Sequence, residues 1–272
     1  MGVICLHVDD LFCTGTTTFR TTILGGIRKT FQVGSEDVND VLFVGQRVRW
    51  EPKGSNPKGC LVVDQEKAIE ELHEIEFDKT LKDDVACNPS LHTEYRSVLG
   101  SLNWLQSRTQ FQSCYRFSRA ASAAASPTMA DVRAINKLVR AVRAETVRLC
   151  FWPLQGQVRV LGCPDAAYRN NSDKSSQRGQ CIFLCEQRAE GRTSTRGSLV
   201  DYESQKINRT VLSTTVAELY SVMKCFGTCH FYVVCGWTSA AKWLLCTSGL
   251  MQIIWSLPLQ PHISRNSGRQ CT

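Results

Sequence analysis

The sequence predicts an α+β or α/β chain in which strand-rich segments flank a helical middle. Three observations carry that expectation. Apolar runs rich in β-branched and aromatic residues, bounded by turn residues, occur up to residue 63 and again beyond Trp152. Between residues 92 and 149 the apolar positions recur at helical spacing instead, with a break at Ser126-Pro127. At 272 residues, 43% of them hydrophobic, the chain has enough material for two modest domains with buried cores. It shows no internal repeat and no low-complexity segment.

The elements follow in order. Residues 3–8 form a β-rich run that stops on Asp9-Asp10, and residues 11–13 resume it, which reads as a hairpin with two carboxylates at its tip. A helix is expected around 22–30. Residues 40–50 and 59–63 read as two strands joined by a turn over 52–59. Residues 64–73 read as a helix that Asp64 can cap, with Ala68, Ile69 and Leu72 as its apolar stripe. Residues 79–89 break into a polar linker. Two helical regions follow, over 92–125 and 128–149. In the second, Val132, Ile135, Val139 and Val142 share one face, while Arg133, Lys137 and Arg140 share another. Beyond Trp152, strands are expected at 158–161, 180–184 and 198–203, then a helix begun by Ser213-Thr214-Thr215. Residues 231–257 are almost continuously apolar and long enough to span a bilayer. Lys242 near the centre and Gln252 further along are costly in hydrocarbon, so a tail anchor is an alternative and a membrane is not an expected partner.

Charge is unevenly placed. The net charge is +7 and the isoelectric point about 8.8. Between Asn103 and Arg148, eight cations stand against two anions, a surplus of +6. Arg133, Lys137, Arg140 and Arg143 are the candidate contacts to a nucleic-acid backbone, and a merely solvated helix face is the other reading. The fourteen cysteines are scattered through strand-like and helix-like runs. Cys225, Cys229 and His230 have no partner cluster at zinc-finger spacing, so free buried thiols in a reducing compartment are expected.

The acids suggest chemistry. Asp165 follows the strand-like residues 157–161, and Glu218 stands near a helix start fifty-three positions later. A strand-end acid and a helix acid at that separation suit one divalent cation and phosphodiester cleavage. Asp9-Asp10, adjacent in a confined turn, would suit metal-dependent nucleotidyl transfer. The blander readings stay open: a turn that favours Asp for its side-chain hydrogen bonds, a loop aspartate at Asp165, and a capping box from Thr215 to Glu218.

The wider pattern resembles a known family. Cys5-Leu6-His7-Val8-Asp9-Asp10-Leu11 resembles the YVDD palm motif of reverse transcriptases from copia-type LTR retrotransposons, with His7 in the tyrosine place. Phe43-Val44-Gly45-Gln46-Arg47-Val48 is similar to that family's FLGIQV strand, and Val63-Asp64-Gln65-Glu66-Lys67-Ala68 to its LSQEKY segment. Tyr95-Arg96-Ser97-Val98-Leu99-Gly100-Ser101-Leu102 resembles YRSLVGSL. Gly162-Cys163-Pro164-Asp165-Ala166-Ala167-Tyr168 is similar to GYSDADW of the ribonuclease H domain that follows the polymerase. Asp173-Lys174-Ser175-Ser176-Gln177-Arg178-Gly179 stands where DRKSTSG would be. Tyr202-Glu203-Ser204-Gln205-Lys206, together with Thr215-Val216-Ala217-Glu218-Leu219-Tyr220, is similar to SWSSKKQ and SSTEAEY.

The resemblance covers about 1–230 and implies a layout. Residues 1–78 would be the C-terminal part of a reverse-transcriptase palm and 79–150 a basic helical thumb or connection. Residues 151–230 would be the first part of a ribonuclease H-like mixed sheet with helices, and 231–272 a divergent apolar tail. It implies Mg²⁺ as cofactor, with Asp165 and Glu218 as ribonuclease H ligands and Asp9 and Asp10 as palm ligands. It also implies an RNA–DNA hybrid or other nucleic acid, or a complete Pol protein, as partner, and a cytoplasmic, virus-like-particle or nuclear location.

The chain also departs from the family. The strand carrying the other polymerase aspartate would precede residue 1, and no Asp or Glu follows Glu218. The expectation is therefore a catalytically incomplete fragment that binds nucleic acid, with an active Mg²⁺-dependent nuclease as the alternative. One account of the acid-free tail is a lost reading frame. With codons TGC ACA TCA GGA CTG ATG CAA ATA ATT TGG for residues 246–255, moving two bases onward encodes a stretch similar to the family's RTDNQSA strand.

Overall fold

The computed structural model describes residues 2–53, 56–154, 157–186, 197–234 and 252–255. Every strand pairing among them is antiparallel, and six α-helices accompany three sheets. The architecture is α+β. The mixed sheet expected for the last third is not present among the described residues.

The predicted hairpin forms from β1 (Gly2–His7) and β2 (Asp10–Gly15), with His7 opposite Asp10. Val8 and Asp9 make the two-residue turn, Val8 at φ 55°. Such turns match the twist of the flanking strands only with positive φ, which a β-branched residue adopts at a cost. Helix α1 (Thr17–Thr30) starts five residues before the expected position because Thr16 caps it, accepting from the Phe19 amide at 3.2 Å. Leu24 of α1 is buried against Leu11 and Cys13 of β2. The sheet is completed by β3 (Ser35–Val38) and, between β2 and β3, by a strand from the far end of the chain (Gln252–Trp255, labelled β11 in chain order).

The single strand expected over 40–50 folds back on itself. β4 (Asp40–Phe43) and β5 (Gln46–Lys53) pair across Val44 and Gly45, whose φ values are 49° and 67°. β6 (Asn56–Asp64) pairs with β5 through most of the segment expected to be a turn, and β7 (Leu149–Phe151) closes the sheet. Val41, Val48, Val63 and Leu149 form its core with Phe12 from β2, whose ring lies 5.5 Å from that of Phe43. Asp64 accepts from the Glu66 amide at 3.3 Å, but its carboxylate is also the buried partner of Arg49.

The helical middle is shorter and more broken than its periodicity implied. α2 (Glu66–Glu70) is little more than one turn. α3 (Pro89–Gln106) is capped by Asn88 and opens with proline at a first-turn position, where its missing N–H costs nothing. The expected helix over 92–125 is interrupted after Gln106. Thr109 donates to Gln65 (2.9 Å) and Gln110 to the Val147 carbonyl (3.0 Å), both buried, which draws the backbone out of the helix. A 3-10 turn at Phe111–Ser113 then leads into α4 (Cys114–Ser122). α5 (Met129–Ala144) starts with a Thr128–Asp131 capping box and ends before the expected 149. Its face of Val132, Ile135, Val139 and Val142 is buried as expected, against Tyr95, Val98, Leu102 and Leu105 of α3. The polar stretch 79–89 is not loose. Asp83, Val85 and Cys87 exchange backbone hydrogen bonds with residues 127–130.

The last unit is a meander, order β10-β9-β8, of β8 (Val158–Ala167), β9 (Gln177–Glu186) and β10 (Gly197–Lys206). All three strands are longer than predicted. α6 (Thr214–Val234) crosses one face, seating Ala217, Ser221 and Cys225. α4 covers part of the opposite face. The Phe111 and Tyr202 rings lie 5.8 Å apart, and Gln177 donates to Ser118 at 3.1 Å.

Candidate functional site

Asp165 lies within β8 rather than after it, because the strand runs on to Ala167. Glu218 lies on α6. The helix is capped by Ser213, whose Oγ accepts from the Val216 amide at 3.3 Å, so Glu218 sits in the second turn and is no partner in a capping box from Thr215. Ser221, one turn further along, lies with its Oγ 2.8 Å from the Asp165 carbonyl oxygen and 3.1 Å from that of Gly179, donating between them. The turn that carries Glu218 is thereby fixed over the Asp165 segment.

The Asp165 side chain nevertheless leaves the sheet on the side away from the helix that carries Glu218. Gly162 faces α6, since a Cβ built there would collide with the Sγ atoms of Cys225 and Cys229. The β8–β9 register is unbroken from Val158 to Ala167, so side chains alternate between faces throughout. Asp165, three positions beyond Gly162, projects from the face away from α6, alongside exposed Leu161 and Cys163. β8 pairs only with β9 among the described residues, so this carboxylate stands at an open edge.

Asp9 occupies the hairpin turn and Asp10 is the first residue of β2; both are half-buried. Neither makes an ion pair among the described residues. No group of three or more His, Cys, Asp or Glu side chains able to hold a metal occurs there either. Clamping two Mg²⁺ ions needs several convergent carboxylates on one side of the scaffold. The described residues do not fit that arrangement at either pair.

The basic stripe divides. Arg133 donates to Asp83 at 2.6 Å and to the carbonyls of Lys79 and Leu81, with its guanidinium over the Phe77 ring. Arg140 is paired with Glu74. These two cations fasten α5 to the chain that precedes α3. Lys137 and Arg143 are exposed and form no ion pair among the described residues.

No protein-family model, curated protein or solved structure matches the chain. Eleven described cysteines are free thiols. Cys225 is pushed up to about 11 by burial and by the neighbouring Cys229 thiol, which keeps it protonated and a poor nucleophile or metal ligand near neutrality. Burial also raises Asp201 above the usual carboxylate range, against hydrogen bonds from the Tyr202 amide and the Tyr232 hydroxyl.

Among the described residues no helix is long and apolar enough to cross a membrane. Most of the apolar stretch 231–257, and with it the expected loss of frame, lies outside the described residues.

Proposed function

We infer that this chain is a nucleic-acid-binding, non-catalytic remnant of a copia-type retrotransposon reverse transcriptase and ribonuclease H polyprotein. The observation that carries the reading is the Ser221 contact. It sets a helix bearing Glu218 across the Asp165 segment of a three-stranded meander, the order of elements that the motif resemblance calls for. The hairpin that presents Asp9 and Asp10, and the positive helical middle after it, support the same reading. The non-catalytic part rests on Asp165 projecting from the face of the sheet opposite the one that α6, with Glu218, crosses. An acid pair split by a sheet does not clamp attacking and leaving oxygens together.

The test uses the full chain with a labelled RNA–DNA hybrid in Mg²⁺-containing buffer. Binding that weakens steeply with salt, without cleavage of the RNA strand, is the expected result. RNA cleavage abolished by Asp165→Asn would overturn the non-catalytic part and favour the Mg²⁺-dependent nuclease. Absence of binding at low salt would overturn the reading altogether.

A further inference from the structure

Three cations of the middle region, Arg116 and Lys137 exposed and Arg119 half-buried, line a concave surface. Between α4, α5 and the loop after β8 lies a cleft of about 390 Å³, lined by Arg116, Arg119 and Lys137 together with Tyr115 and Asn170. A second cleft of about 260 Å³ shares Arg119 with the first and continues past Ser122 and Asn171 to Lys206. The two form one open groove that passes from the helical middle onto the three-stranded unit.

The groove is already partly organised. Arg119 Nη1 donates to Asn171 Oδ1 at 3.2 Å, which holds the guanidinium at the junction of the two clefts. Asn170 donates to the Tyr115 hydroxyl at 3.3 Å. Arg116 and Lys137 are exposed and make no ion pair among the described residues. Asp131 is the one carboxylate common to both clefts, and it is committed elsewhere. It accepts from the Thr128 amide and hydroxyl, both at 2.9 Å, at the positive end of α5. Lys206 at the far end is paired with Asp173. The local balance is thus positive over the stretch from Lys137 to Arg119, where the cations are available.

We propose that this groove, lined by Arg116, Arg119 and Lys137, holds the sugar-phosphate backbone of one nucleic-acid strand, and that the Arg133 and Arg140 face of α5 does not. The proposal rests on the nucleic-acid reading above and names its contact surface. Forked guanidinium donors suit phosphate oxygens in two-point contacts. Tyr115, 41% exposed at the rim beside Arg116, adds a flat face on which a base can stack. An open channel of cations and amide groups favours an extended polyanion over an apolar peptide, which needs pockets for its side chains. Arg116 and Arg119 lie three apart on α4 and so share a face, a spacing visible in the sequence and overlooked beside the longer stripe of α5.

The experiment measures binding of the full chain to the labelled hybrid across a salt series, for wild type, Arg116→Gln/Lys137→Gln and Arg143→Gln. Both replaced residues of the double variant are exposed, and unchanged thermal melting checks that it folds. Each lost phosphate contact is expected to lower the slope of log K against log salt by about 0.9, so the double variant loses about thirtyfold in affinity near 0.15 M salt. Arg143→Gln is expected to change little. If wild type binds and the double variant binds with the same affinity and slope, the groove is overturned while the nucleic-acid reading stands. An equal loss from Arg143→Gln also overturns the groove, because binding would then follow total charge. If wild type does not bind the hybrid at all, both fall together.

Discussion

At the scale of single residues, Gly162 decides more about the candidate site than either acid. It is where α6 packs over β8, with the Cys225 and Cys229 thiols occupying the space a side chain would need. Its direction fixes by alternation that of every other residue of β8, Asp165 included. Gly162→Ala is expected to destabilise the chain by about 2 kcal/mol through overpacking. In a background where Cys225 and Cys229 are both Ala, the added methyl has room, and the cost should fall by more than half, a coupling of the kind that contacting residues show. Thermal melts of the four proteins would measure it. An equal cost in both backgrounds would mean that Gly162 does not face α6, and the placement of Asp165 on the face away from α6 would lose its basis.

At the scale of elements, the helical middle is stitched by polar groups rather than by periodicity alone. Asn136 lies in the buried part of α5 and reaches the extended chain after α2. Its Oδ1 accepts from the Ile75 amide at 2.9 Å, and its Nδ2 donates to the Ile75 carbonyl at 2.8 Å. Asn136→Ala leaves a buried N–H and a buried C=O without partners, and is expected to cost about 3 kcal/mol. For a chain of this size that lowers the melting temperature by roughly 5 °C. A shift of a degree or two would show that water or a local rearrangement replaces the clasp. Such clasps also mark what could be read from sequence. The strands of the meander, the tip of the first hairpin and the buried face of α5 were legible because apolar spacing records one-sided burial. The fold-back at Val44-Gly45 was not, since a β-branched residue at positive φ conceals a turn inside a strand-like run. The break after Gln106 was concealed too. It depends on Gln65 and Val147, residues distant in sequence. Of the site, the strand under Asp165 and the helix under Glu218 were legible, but their facing depends on how α6 seats over Gly162.

At the scale of the whole molecule, the first hairpin shares its sheet with a strand more than two hundred residues later in the chain. β11 lies between β2 and β3, with Gln252 opposite Cys13 on one side and Val38 on the other. Backbone pairing of this kind is tolerant of sequence: an open edge accepts a short β-prone segment such as Gln-Ile-Ile-Trp through its N–H and C=O groups. A stretch expected to stand apart from the fold can therefore complete it. Without β11, the inner edges of β2 and β3 lose their partners, whereas β5, β6 and the meander keep theirs. A chain ending at Val234 should consequently show faster amide exchange in Asp10–Gly15 and Ser35–Val38, with protection of β8 and β9 unchanged. Unchanged exchange in Asp10–Gly15 would remove β11 from the sheet and leave the hairpin of Asp9 and Asp10 to stand on α1 and the Phe12–Phe43 contact. The expected pattern makes β11 a support for that hairpin, while the proposed groove, built from α4, α5 and the loop after β8, keeps its full affinity for the hybrid in the same shortened chain.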